Sequence, residues 1–224
     1  MTDSHFRTAE QTLLAPYDLT HGKLATVFGN IVGHRVDYAD LYFEHTLNNY
    51  SNLEDGKVNQ ASSNMAYGVG IRVLTGDQTR YGFTEIITPE AMLKAAGTAA
   101  SIANDTGKAI AENINELTAP NLYPVITSWE NTSVKDKIPF LERANEKIFA
   151  LDSKVTKVNA SIGDTTSYIL FFNSEGLLAC DYRPLVYLSV NCVMEQNGRI
   201  ENFSVSSSAR KGSEFLTNDL VDKL

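Results

Sequence analysis

Apolar residues recur with helical spacing shortly after Thr20. The residues at i, i+3, i+4, i+7 and i+8 are Leu24, Val27, Phe28, Ile31 and Val32. This stripe predicts an amphipathic helix over 21–33, with Thr20 as its N-cap and Gly33 at its end. Residues 1–20 are predicted to form an N-terminal arm or a short extra helix.

Between residues 38 and 85 the pattern changes to the two-residue period of strands. Glu54-Asp55-Gly56-Lys57 and Thr75-Gly76-Asp77 are turn signals. These signals predict an antiparallel meander, in which consecutive strands are joined by short turns. The four predicted strands cover 39–44, 58–65, 67–74 and 79–85.

A second helical region begins at Thr88-Pro89, where Pro is placed at the first helical position. Its interior is rich in alanine, and it is predicted over 88–106. Residues 108–132, which include Pro120 and Pro124, have the composition of a linker.

The next helix is predicted over 134–151, with Ser133 and Asp136 as a capping pair. A start near Ile138 is equally possible, because Pro139 would remove one early hydrogen bond. The apolar face assigned to this helix consists of Ile138, Leu141, Ala144, Ile148 and Leu151.

Strand patterns return after residue 153. They cover 154–162, 167–173, 177–192 with a break near Pro184, and 199–208. The predicted fold class is therefore α+β, with two repeated helix-plus-antiparallel-meander units and an additional helix, 88–106, between them. One unit is helix 21–33 with strands 38–85, and the other is helix 134–151 with strands 154–208. The predicted domains are 21–107 and 133–224. The last residues, 219–224, look like the start of an amphipathic helix, and we expect the chain to stop before a further domain.

Charge and cysteine content narrow the function classes. The chain has 19 Lys and Arg against 27 Asp and Glu, a net charge of −8, which argues against direct nucleic-acid binding. No apolar run approaches the roughly 20 residues that span a bilayer, and the N-terminus lacks a signal sequence. Cys180 and Cys192 have no CxxC spacing and are expected to be reduced thiols. We therefore expect a cytoplasmic protein without a membrane partner.

The sequence offers no catalytic or metal motif. Its four histidines, His5, His21, His34 and His45, form no HExxH pattern. A metal site assembled from separated residues, such as His45 with Glu44, is the remaining alternative to solvated histidines. There is no GxSxG nucleophile motif, and Gly68-Val69-Gly70 lacks the GK[ST] and helix of a phosphate loop.

Five residues are candidates for contact with a substrate or partner: Gly68, Gly70, Arg72, Asp181 and Arg183. The glycines would let another backbone approach the sheet, as in strand addition by a peptide. Arg72 could bind a carboxylate of a peptide or partner. The alternative is a structural ion pair of Arg72 with Asp40, Glu44 or Glu54, and the same choice applies to Asp181 and Arg183.

Several segments resemble the TldD/PmbA family of metalloproteases. They are Asp37-Tyr38-Ala39-Asp40-Leu41-Tyr42-Phe43, Leu53-Glu54-Asp55, Gly68-Val69-Gly70-Ile71-Arg72, Gly82-Phe83, and Asp181-Tyr182-Arg183-Pro184-Leu185-Val186 with Leu188-Ser189-Val190. Their order extends over nearly the whole chain and is closer to the TldD branch than to the PmbA branch.

The resemblance implies the N-terminal and middle domains of a cytoplasmic zinc peptidase that acts on small or unfolded peptides. It implies a PmbA-type or identical subunit as partner. It also implies that the family's older label, modulator of DNA gyrase, reflects an indirect effect on that enzyme. The family's zinc motif, HExxxH with a later cysteine, is absent here, so no catalytic or metal residue is carried over. The competing hypothesis is a stand-alone peptide-binding or scaffold module without hydrolase activity.

Overall fold

The computed structural model describes residues 3–32, 36–100, 114–117 and 122–223. The helices are α1 (Asp3–Leu13), α2 (His21–Val32), α3 (Pro89–Ala100), α4 (Val134–Leu151) and α5 (Asn218–Asp222), with 3₁₀ turns at Ala15–Tyr17, Trp129–Asn131 and Ser213–Phe215. The strands are β1 (Tyr38–Glu54), β2 (Lys57–Thr75), β3 (Gln78–Thr84), β4 (Asn115–Leu117), β5 (Val155–Asn173), β6 (Leu177–Gln196) and β7 (Arg199–Ala209). No helix within the described residues is long and apolar enough to cross a membrane.

The strands follow the order β3-β2-β1-β5-β6-β4, and β7 also pairs with β6. The β2–β3 and β6–β7 pairs are antiparallel. The short β4 pairs in parallel with the start of β6. Helices combined with a mainly antiparallel sheet confirm the predicted α+β class.

Each predicted four-strand meander is corrected to three longer strands. The strands predicted at 58–65 and 67–74 are one strand, β2, and those at 154–162 and 167–173 are one strand, β5. Gly163-Asp164 resembles a turn in the sequence. In the structure it remains extended, because the Asp164 carboxylate accepts hydrogen bonds from Asn49 and Lys137.

The break predicted near Pro184 is also wrong, because β6 continues through it. Pro184 lies between the residues that pair with β4, 177–179, and those that pair with β7, 186–196. A proline lacks the N–H of a ladder bond, and it is tolerated in a strand where that bond has no partner.

The local signals at two hairpin turns and at the start of α4 are confirmed, whereas Gly33, the predicted end of α2, lies outside the described residues. Asp55 and Gly56 have φ of 49° and 77°, and Asn197 and Gly198 have 52° and 78°. Two consecutive positive φ values are those of the type I′ turn that closes two-residue hairpins. The Ser133 N–H donates to the Asp136 carboxylate over 2.8 Å, which places the start of α4 at the earlier of its two predicted positions.

Contacts divide the chain into two compact units. Unit 1 consists of residues 1–46, 66–121 and 167–182, and unit 2 of 47–65, 122–166 and 183–224. Strands β1, β2, β5 and β6 contribute residues to both. The segment 108–132, predicted as a linker, provides β4 to unit 1 and the buried Trp129 to unit 2.

Unit 1 packs helices against one face of its strands. The buried stripe of α2, Leu24, Val27, Phe28 and Ile31, agrees with the sequence pattern. The Phe28 ring contacts the Phe172 ring edge-on at 5.1 Å between centroids. Gly82 of β3 lies directly beneath the backbone of Ala95 in α3.

Unit 2 packs α4 over its own strands, and the face assigned to α4 needs a correction. Its buried residues are Lys137, Leu141, Ala144, Asn145 and Ile148, whereas Leu151 is exposed. Ile138 is partly buried and packs against the core as predicted, so the correction removes Leu151 from the buried face and adds Lys137 and Asn145. The core also contains Leu53, Trp129, Val158, Ile162, Leu188 and Val221.

Candidate functional site

The predicted contact residues of β2 lie on the face of unit 1 opposite its helices. Val69, Ile71 and Val73 are buried, and Ile71 is paired with Gly82 beneath α3. Side chains alternate along a strand, so Gly68, Gly70 and Arg72 point to the other face. We call this surface the Arg72 face, and it consists of Tyr38, Asp40, Tyr42, Gly68, Gly70, Arg72, Tyr81 and Phe83.

Arg72 is the charged centre of this surface. Its Nε donates to Asp40 Oδ2 over 2.8 Å, and its Nη2 donates to the same oxygen. The Asp40 side chain is 6% exposed, whereas the Arg72 side chain is 39% exposed. Asp40, rather than Glu44 or Glu54, is therefore the ion-pair partner of Arg72.

The surroundings keep Arg72 charged. The hydrogen bond that Arg72 donates to Asp40 raises the pKa of Arg72 above its ordinary value, against the opposing effect of desolvation. The guanidinium also lies 5.7 Å from the centroid of the Tyr38 ring, within the range of a cation–π contact. Asp40 and Tyr38 therefore fix the orientation of a cation that water still reaches.

Aromatic side chains flank this cation on β3. Tyr81 is paired with Arg72 and Phe83 with Gly70. Tyr81 is 70% exposed and Phe83 is 65% exposed. An oriented cation beside exposed rings can bind a carboxylate and apolar side chains together.

Close packing requires a glycine at only one of the two glycine positions of this surface. A Cβ at Gly68 would lie 2.8 Å from the Phe83 ring and 2.9 Å from the Thr84 carbonyl oxygen, so this position has no room for one. A Cβ at Gly70 would meet Tyr42 O at an ordinary 3.8 Å. Close packing therefore explains Gly68 and leaves Gly70 without a structural reason.

Asp181 lies on the same side of the sheet as Arg72. Its neighbour Tyr182 contacts Tyr168 at 5.1 Å between ring centroids, and Tyr168 shares its strand face with Phe172, which contacts α2. Asp181 therefore points away from the helices. Three strand spacings separate β6 from β2, roughly 14 Å, so Asp181 and Arg72 do not touch. Arg183 is exposed and belongs to unit 2.

Cys180 is a poor nucleophile. Burial, followed by the charges of Glu10 and Glu116, raises the pKa of its thiol to about 12. The thiolate is the reactive form, and it becomes abundant only when the pH rises toward that value. Both cysteines are free thiols.

The residues present do not fit the zinc that the sequence resemblance implies. Within the described parts of the chain, no group of three or more His, Cys, Asp and Glu side chains is placed to hold a metal ion. Glu44, the candidate partner of His45, accepts a hydrogen bond from Thr46 over 2.6 Å.

Sequence reasoning missed a buried ion pair in unit 2. Lys137 and Asp164 form an ion pair, and their side chains are 2% and 1% exposed. Asn49 Nδ2 donates to the second Asp164 oxygen over 2.9 Å, and Lys137 Nζ lies 5.3 Å from the Trp129 ring. The available signal was the spacing of Lys137 with Leu141, Ala144 and Ile148 along one helical stripe.

The chain is similar to proteins of one family. Residues 39–103 match the PmbA/TldA metallopeptidase domain 1, and residues 127–224 match the PmbA/TldA metallopeptidase central domain. A protein of Haemophilus influenzae named metalloprotease TldD homolog is 33% identical over 208 residues. These cover 92% of this chain and 43% of that protein, so the chain spans under half the length of this relative.

Solved structures show the same fold. A candidate modulator of DNA gyrase from Bacteroides thetaiotaomicron has a TM-score of 0.71 at 14% identity, over 90% of this chain and 48% of its own. A candidate modulator of a DNA gyrase from Thermotoga maritima has a TM-score of 0.65 at 21% identity, over 83% of this chain and 42% of its own. With both domain models matched in order, the chain belongs to the PmbA/TldD metallopeptidase family and contains its first and central domains.

Proposed function

We propose that this chain supplies the first and central domains of a TldD-type zinc metallopeptidase that acts on small or unfolded peptides. Within that enzyme, the chain forms walls of the peptide chamber, holds an extended peptide and contacts a PmbA-type or identical subunit. The zinc ligands come from residues outside this chain. The family match supports the class of enzyme, and the Arg72 face supports the peptide-holding role.

The observation that carries this proposal is the half-exposed cation on an open sheet face. A guanidinium has five N–H donors, and the bonds from Nε and Nη2 to Asp40 use two of them. The Tyr81 side chain also hydrogen-bonds Arg72, and the donors that remain suit a carboxylate of a peptide, either its C-terminus or an acidic side chain. Tyr81 and Phe83 offer apolar surface for neighbouring peptide side chains, and Gly70 adds no side chain to this surface.

We propose that the protein is cytoplasmic and that its two helix-and-strand segments are one structural unit used twice. Each half has a helix followed by three strands joined by hairpins, α2 with β1–β3 and α4 with β5–β7. They correspond to the two units predicted from the sequence, helix 21–33 with strands 38–85 and helix 134–151 with strands 154–208. Helix α3 lies between them in the chain.

Replacing Arg72 with methionine tests peptide holding. We expect binding of a fluorescein-labelled unstructured acidic peptide, measured by fluorescence anisotropy, to weaken roughly tenfold or more, since a charge-assisted hydrogen bond contributes about 1.5–3 kcal/mol. The matched control is Arg80→Met on β3. The side chain of Arg80 contacts Gln78, and we expect the affinity to change less than about twofold.

The result also separates the peptide-holding role from a purely structural ion pair. If Arg72→Met lowers the melting temperature and leaves peptide affinity unchanged, Arg72 serves only Asp40. A chain that binds peptides normally but never supports hydrolysis when completed by the rest of a relative would instead favour the stand-alone binding module.

A further inference from the structure

Unit 2 contains an apolar cavity of about 240 Å³ near the end of α4. On its sheet side the lining consists of two cross-strand pairs that join β6 to β7, Val190 with Val205 and Cys192 with Phe203. Ile148, in the last turn of α4, also lines it. The cavity is therefore built from the helix and the strands that form the core of this unit.

The cavity is open to solvent at two large apolar side chains. Leu151 and Phe203 both line it, and they are 67% and 64% exposed. Val190 and Cys192, in contrast, are 2% and 9% exposed. Apolar side chains that face water around a concave apolar site are typical of a binding site for a ligand.

The volume sets the size of the ligand. An apolar cavity of about 150 Å³ stays free of water and takes up benzene, which fills it with a single ring. In the same proportion, the 240 Å³ of this cavity accommodates roughly nine or ten non-hydrogen atoms. This is the size of one aromatic ring with a short arm.

Asp152 gives the site a preference for a cation. Among the described residues that line the cavity, it is the one with a charged side chain. Its Oδ1 accepts a hydrogen bond from the Lys154 N–H over 2.9 Å, which orients the carboxylate. Its Oδ2 lies 3.6 Å from Lys154 Nζ, and an exposed ion pair of this length contributes little. The ammonium group of a ligand can therefore replace Lys154 as the partner of Asp152.

We propose that this cavity binds a small aromatic amine. The ring lies between Ile148 of α4 and the β6–β7 pairs, and the ammonium group on its short arm contacts the Asp152 carboxylate. This site goes beyond the proposed peptide-holding role, because the cavity belongs to unit 2 and the Arg72 face to unit 1.

Isothermal titration calorimetry of the full 224-residue chain tests the proposal with three ligands of this size. The probe is 2-phenylethylamine, and we expect it to bind. The neutral 2-phenylethanol has the same shape, and we expect its affinity to be roughly fivefold lower, because it lacks the charge-assisted hydrogen bond. Phenylacetate should bind more weakly still, since its carboxylate would face that of Asp152.

Variants of the lining locate the site. Val205→Phe fills the cavity with a ring of the chain itself, and we expect the affinity for 2-phenylethylamine to fall about tenfold or more. The matched control is Ser206→Phe, the next residue of β7, which is exposed and points to the opposite face. We expect this control to keep the wild-type affinity.

Two further variants test the charge. Asp152→Asn keeps an oxygen that can accept the Lys154 N–H, and we expect this variant to bind the amine no better than the alcohol. Lys154→Met removes the competing cation, and we expect it to bind the amine about two- to threefold more tightly.

Cys192 provides a readout that needs no variant and that remains if Val205→Phe fails to fold. Its side chain lines the cavity, so bound 2-phenylethylamine should slow its labelling by N-ethylmaleimide, measured by mass spectrometry of the digested chain. Cys180, in unit 1, is the reference site, and its labelling should not change.

Three results would overturn the proposal: no binding of the amine, equal affinities for the amine and the alcohol, or equal losses in Val205→Phe and Ser206→Phe. None of these measurements depends on zinc, on peptide binding or on peptidase activity, so the proposed function is tested separately.

Discussion

Replacing Lys137 with methionine is expected to lower the free energy of unfolding by about 3–5 kcal/mol. The substitution leaves the carboxylate of Asp164 buried without its cation, and Asn49 is then its remaining partner. A buried charge without its counter-ion is far more costly than a buried neutral group. Urea denaturation followed by far-UV circular dichroism measures the change.

Two further variants separate burial from charge. Lys154→Met removes an exposed pair, since Lys154 and Asp152 are 43% and 36% exposed, and should cost less than about 1 kcal/mol. The double variant Lys137→Met with Asp164→Asn removes both charges and keeps an amide for Asn49. We expect it to recover at least half of the loss. A single Lys137→Met variant as stable as Lys154→Met would contradict the role given to this pair.

Replacing Gly82 with alanine is expected to cost about 3 kcal/mol of unfolding free energy. The new Cβ would lie 2.8 Å from the carbonyl carbon of Ala95, and the obstacle is helix backbone, so α3 would have to move away from β3. Thermal unfolding followed by circular dichroism detects this as a large fall in melting temperature.

Gly70→Ala is the matched control, because Gly70 lies one strand away on the opposite face. Its new Cβ would make only an ordinary contact with Tyr42 O, and we expect a change below about 1 kcal/mol. Equal losses in the two variants would show that the glycines act through strand flexibility. A stable Gly70→Ala variant with weaker peptide binding would place Gly70 in the contact surface.

Local signals predicted the short-range features of this fold. The Asp55-Gly56 turn and the Ser133 cap depend on residues within four positions of each other, so a sequence window contains all of their determinants. The α2 stripe is predictable for the same reason. The lengths of the strands could not be predicted in this way. Strand β5 continues through Asp164, whose side chain is bonded to Asn49, a residue 115 positions earlier in the chain.

The candidate site was predictable only in part. Strand alternation was enough to group Gly68, Gly70 and Arg72 on one face, and it left three acids as possible partners of Arg72. Choosing Asp40 required the pairing of β1 with β2. The burial of Lys137 was not predicted, because a lysine on a helix is ordinarily solvated. Only the fold shows that Asp164 lies against it.

Joining this chain to the remaining part of the Haemophilus influenzae relative tests the enzymatic claim most directly. The measurement is zinc content together with cleavage of an unstructured peptide, with and without a chelator, and the intact relative serves as the positive control. We predict bound zinc and chelator-sensitive cleavage for the joined protein, and neither for the 224-residue chain alone. A joined protein that folds but binds no zinc, or chelator-resistant cleavage by this chain alone, would contradict the account.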